Sequence, residues 1–84
     1  VADDLATAAR AYQQARAAMA SAQAEAERIV TEARGEIAAA RSRLAEAIVA
    51  AARDGMRQVD IVRATGYTRE RVRQILRANG VEAD

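Results

Sequence analysis

Residues 58–77, QVDIVRATGYTRERVRQILR, decide how this chain folds. Ile61 and Val62 share the inner face of a short helix predicted over about 57–65, and Val72, Ile75 and Leu76 are spaced to line the inner face of a second over 68–78. Between them stands Gly66, where the chain must reverse sharply and a positive φ carries no Cβ penalty. Tyr67 adds an apolar anchor, and Thr68 stands where a side-chain oxygen can cap the second helix. Two short helices joined by a glycine turn have the spacing of a helix-turn-helix.

With those apolar residues turned inward, the second helix presents Thr68, Arg69, Glu70, Arg73, Gln74 and Arg77 outward. Each of these types matches a major-groove edge. Arg donates twice to guanine O6 and N7, Gln pairs with adenine N6 and N7, Glu accepts from cytosine N4, and Thr meets an edge or a methyl group. Because the N-terminal part of such a helix reaches the bases, Thr68, Arg69, Glu70, Arg73 and Gln74 are expected to read DNA bases. Thr68 doubles as the cap, and Arg57, Arg63, Arg71 and Arg77 are expected at phosphates. A helical hairpin packing on another protein is the competing reading; four arginines on one motif, at 69, 71, 73 and 77, argue against it.

The segment from Gly66 to Ile75, GYTRERVRQI, resembles the helix-turn-helix in region 4 of bacterial primary sigma factors, and small sigma-like helix-turn-helix proteins of actinobacteria. The resemblance covers residues 56–80 only. It implies that the second helix docks in a major groove through Thr68, Arg69, Glu70, Arg73 and Gln74. Val62 departs from the pattern, which usually has Ala or Gly there, and the first motif helix lacks a capping residue immediately before it unless Asp54 serves. Nothing in the preceding helix resembles other sigma regions, so a polymerase sigma factor is not implied.

Charge supports the same placement. Residues 1–55 carry 7 Arg against 8 acidic residues, whereas 56–79 carry 6 Arg against Asp60 and Glu70, so the positive charge is confined to the motif. A local basic field is the footprint of a domain that displaces counterions from phosphate. The chain has no His and no Cys, which removes the commonest metal ligands, general base and nucleophilic thiol. An enzyme is not expected, nor a metal, a cofactor or a small-molecule ligand. No apolar run approaches the ~18 to 20 residues of a membrane span or a signal peptide's apolar region; a cytoplasmic, nucleoid-associated location is the expectation. All 13 basic residues are Arg and 24 residues are Ala, a bias of the kind GC-rich, actinobacterial-type genomes produce.

Upstream, nothing from Asp3 to about Arg53 breaks a helix except Gly35, at a cost of roughly 1 kcal/mol. One helix of that length would span ~75 Å. Its seam repeats every seven residues. Leu5, Tyr12, Met19, Ala26, Ala33, Ala40 and Ala47 make one row, and Ala2, Ala9, Arg16, Gln23, Val30, Ile37, Leu44 and Ala51 the other. Leu5, Tyr12, Met19, Val30, Ile37 and Leu44 are the expected dimer seam. The large residues change rows halfway, which favours antiparallel pairing; a parallel pair would set Arg16 against Arg16 and Gln23 against Gln23. A parallel pair, and a hairpin folding the chain on itself near Ala24 or Gly35, stand as alternatives.

Near its end the helix widens its apolar face with Leu44, Ile48, Val49 and Ala52, just before Arg53-Asp54-Gly55, whose glycine is a plausible C-cap. Together with Met56, Val59, Ile61, Val62, Tyr67, Val72, Ile75 and Leu76 these suffice for a small three-helix core, marginal alone. The expected fold is therefore all-α: a long dimerisation helix over 1–54 and a helix-turn-helix module over 55–84. The expected function is a homodimeric DNA-binding regulator of transcription, with two identical heads spaced by the paired helices. The alternative is a coiled-coil adaptor, or a DNA-bridging or partition protein, whose long helix binds a protein partner.

Overall fold

Alanine and arginine, both strong helix formers, dominate the first fifty residues and no proline interrupts them. In a computed structural model of the chain, which describes residues 2–82, this stretch is one uninterrupted helix. The elements are α1 (Ala2–Arg53), α2 (Gln58–Thr65) and α3 (Arg69–Ala78), with no strand among the described residues. Gly35 is absorbed inside α1, and no hairpin forms at Ala24 or Gly35. Each helix carries acid in its first turn and arginine in its last, namely Asp3, Asp4 and Arg53, then Asp60 and Arg63, then Glu70 and Arg77. That polarity opposes the helix dipole and favours each end by ~0.3 to 1 kcal/mol per charge.

The chain divides into two compact units, Val1–Glu36 and Ile37–Asp84. The first is helix alone. Leu5, Tyr12 and Met19 stand 60–73% exposed on it, and Ile29 and Val30 are exposed as well. Arg28 bridges Glu25 and Glu32, one turn away on either side. Such exposed pairs contribute a few tenths of a kcal/mol each.

The second unit is built on a core of Ile48 and Val49 from α1, Ile61 from α2, and Val72, Ile75 and Leu76 from α3. Leu44, Ala45, Ala52, Val62, Tyr67 and Val81 pack around it. Ile48, Ile61, Val72 and Leu76 are at most 2% exposed, and burial on that scale is worth ~1.5 to 3 kcal/mol per side chain. The end of α1 is thus part of the module's interior, as its widened apolar face predicts. One expectation needs correction. Met56 lies outside the core, 44% exposed, because it is the first residue past the glycine that closes α1. Leu44, on the expected seam row and also on the widened apolar face, is half-buried against this core, because it stands one helical turn before Ile48 on the same face.

Two helix ends close in the same way. Gly55, at φ 99°, donates to the Ala52 carbonyl while Met56 donates to Ala51; after α3, Gly80 donates to Arg77 and Val81 to Leu76. This crossed pair of bonds is the Schellman closure, which satisfies carbonyls the helix leaves open. At the second closure Val81 folds back onto the core as well. The Asn79 side chain donates to the Ile75 carbonyl at 2.8 Å, and the Arg53 guanidinium donates to the Asn79 carbonyl at 3.4 Å. These contacts tie the end of α1 to the end of α3.

Candidate nucleic-acid interface

The turn between α2 and α3 is held from both sides. Gly66, at φ 75°, donates its N–H to the Val62 carbonyl at 2.9 Å and closes α2 in a left-handed conformation. Thr65 locks the same corner, its hydroxyl donating to the Ile61 carbonyl at 2.8 Å and accepting from the Tyr67 N–H at 3.2 Å. Thr68 then caps α3, its Oγ1 accepting from the Arg71 N–H at 3.0 Å. α3 therefore starts at Arg69, with Thr68 as its cap. The start of α2 is different. Arg57 occupies the cap position without a side-chain hydrogen bond.

Packing of Val72, Ile75 and Leu76 sets which way α3 faces. At 3.6 residues per turn, Glu70, Arg73, Gln74 and Arg77 hold the middle of the face opposite that buried row. Arg69 lies at one edge beside Arg73. Arg71 lies at the other edge, its guanidinium carbon 6.0 Å from the centre of the Tyr67 ring. Thr68, Arg69, Glu70, Arg73, Gln74, Arg71 and Arg77 are all exposed. The residues expected to read bases are thus brought together on α3. Of those expected at phosphates, Arg71 and Arg77 are on the same helix, while Arg57 and Arg63 belong to the α2 side.

Several of these arginines have carboxylate neighbours. Arg73 donates to Glu70 at 3.2 Å. Asp60 lies between Arg57, at 3.6 Å, and Arg63, at 3.8 Å. All of these side chains are between 42% and 78% exposed, and pairs so exposed contribute at most ~1 kcal/mol. A bidentate contact from arginine to guanine is worth ~1 to 3 kcal/mol of discrimination. Arg73 is therefore only loosely held by Glu70. The stacking of Arg71 on Tyr67, at ~0.5 to 1 kcal/mol for an exposed site, holds that side chain on the flank of α3.

Thr65 escapes a reading of the sequence, although a Thr next to a turn glycine is a recognised local hydrogen-bonding type. Gln58, buried where α2 begins, gives no sequence signal that separates it from an exposed glutamine. An open groove along α3 is lined by Gln58, Arg73, Leu76, Arg77, Gly80 and Val81. Among the described residues no helix is long and apolar enough to cross a membrane, and no acidic cluster could hold a metal ion. Comparison with protein-family models, with curated proteins and with solved structures yields no match.

Proposed function

We propose that this chain is a sequence-specific binder of double-stranded DNA, acting in transcription regulation, which inserts α3 into the major groove. The observation that carries the proposal is the exposed face of α3, where Arg69, Glu70, Arg73 and Gln74 stand together beyond a capped helix start. Arg69 and Arg73 would select guanine, Gln74 adenine and Glu70 cytosine. Arg57, Arg63, Arg71 and Arg77 would sit along the flanking phosphates, in a stretch with a charge balance of +4 over residues 56–79. The resemblance of GYTRERVRQI to sigma region 4 supports the same docking. One module offers few contacts, so two joined copies would be the working form, at the nucleoid.

Four phosphate arginines per module imply a log–log salt slope of about −3.6, at roughly −0.9 per contact. Selection from a random duplex library tests the assignment. The wild type should enrich one short motif, and Arg73→Ala should lose preference at a single base pair of it. Enrichment of nothing above input, by a chain that is folded, would refute sequence-specific reading.

A further inference from the structure

In the first unit nothing covers Leu5, Tyr12, Met19 and Val30, and in the second Ile37 is 58% exposed. The spacing of the large residues along α1 says what would cover them. Leu5, Tyr12, Met19, Val30, Ile37 and Leu44 succeed one another at intervals of seven, seven, eleven, seven and seven residues. That series reads the same in both directions. Its midpoint falls between Ala24 and Glu25.

We infer that α1 pairs with α1 of a second copy, antiparallel, about a two-fold axis through that midpoint. Every large residue then meets a large one, with Leu5 opposite Leu44, Tyr12 opposite Ile37 and Met19 opposite Val30. Every other layer is small, with Ala2 facing Ala47 and Ala9 facing Ala40. The two polar residues of the seam are accommodated by the same register, because Arg16 faces Ala33 and Gln23 faces Ala26. Antiparallel layers pair one seam row with the other, which is what each of these couples does. A parallel pair would also set large on large, each residue against its own copy, but it would put Arg16 against Arg16 and Gln23 against Gln23, a like-charge layer beside a polar one. A shift of one heptad in the antiparallel pair sets Tyr12 opposite Leu44 but strands Leu5 opposite Ala51. An isologous interface demands that residue i meet residue j while j meets i, and the mirrored spacing meets that demand along the whole seam. The pairing stands independently of DNA binding.

The chain has no cysteine, so crosslinking reports on register without a background. Ala9→Cys and Ala40→Cys are made as separate full-length variants, oxidised alone and after refolding together. Covalent dimer should form in the mixture at several times the yield of either variant alone, and the wild type should sediment at twice the 9.0 kDa of one chain. Crosslinking of Ala9→Cys to itself would establish parallel pairing and overturn the proposal. A monomeric mass with no crosslink in the mixture would overturn it too. Tyr12→Glu supplies a second reading: it should halve the mass while the chain stays helical and the module stays folded, and an unchanged mass would count against the seam.

Discussion

The two units of this chain handle apolar surface in opposite ways. In the second, Ile48, Ile61, Val72 and Leu76 are almost wholly covered by their own chain. In the first, Leu5, Tyr12 and Met19 recur every seven residues and stay exposed. Both stretches are amphipathic helix, so periodicity alone does not separate them. The difference lies downstream of each stripe. Gly55 and Gly66 turn the chain back after Ile48, so that two further helices reach the end of α1, whereas residues 2–36 have no such return. An apolar stripe with a return path becomes a core; one without it stays exposed, and under the proposed pairing a second copy covers it.

The strongest way to break that contrast is Leu76→Ala. Leu76 is 1% exposed, and truncation of so enclosed a side chain costs ~2 to 5 kcal/mol, a large share of what so small a core supplies. Urea titration followed by circular dichroism should show the module's transition lost or greatly lowered, with self-association through α1 retained. If association failed together with the core, the two units would not be separable in energy.

Next in size is Arg73→Ala, which under the proposed function costs ~1 to 3 kcal/mol at one base pair and little on random duplex. Competition binding with single-site variants of the selected motif measures it; equal losses on all sequences would move Arg73 from the bases to the backbone.

Gly66→Ala places a Cβ in a left-handed turn. Beyond its own chain neighbours nothing lies within 4 Å of that Cβ, so the expected loss of ~1 to 2 kcal/mol comes from backbone strain. Thr68→Ala removes the oxygen that accepts from Arg71 and should lower stability by ~1 kcal/mol. Both appear as lowered denaturation midpoints of the module, and a midpoint unchanged by Thr68→Ala would show that α3 does not depend on its cap. The smallest effect belongs to Arg63→Ala. Its partner Asp60 lies 3.8 Å away in the open, so stability should hold while the salt slope of DNA binding falls by ~0.9.

Much of this organisation is legible in the residues. The helix-turn-helix shows because Gly66 stands between two apolar groups of helical period, and because Thr68 is a capping type at a helix start. The share of α1 in the core shows because Ile48 and Val49 leave the heptad rows that hold up to Leu44. Met56 misleads because an apolar residue after a C-terminal glycine carries no sign of whether the chain turns it in or out. Leu44 belongs to a heptad row and to a core-facing row at once, and the sequence marks both. The closure at Gly80 and Val81 had a signal, a glycine just past the last apolar helical residue. The double hydrogen bond of Thr65 is a matter of turn geometry, which residue type alone does not specify.

The central claim is that the module meets DNA while the stripe on α1 meets another chain. Backbone amide resonances of the full chain test both halves: on dilution the amides along residues 2–36 should shift, and the rest is read as a selected duplex is then added at fixed chain concentration. Shifts on adding duplex should concentrate on Thr68–Arg77 and the arginines of the α2 side, with the amides of residues 2–36 unmoved at that step. Amides of residues 2–36 unmoved by dilution, duplex shifts concentrated on residues 2–36, or none anywhere at saturating duplex, would contradict the account.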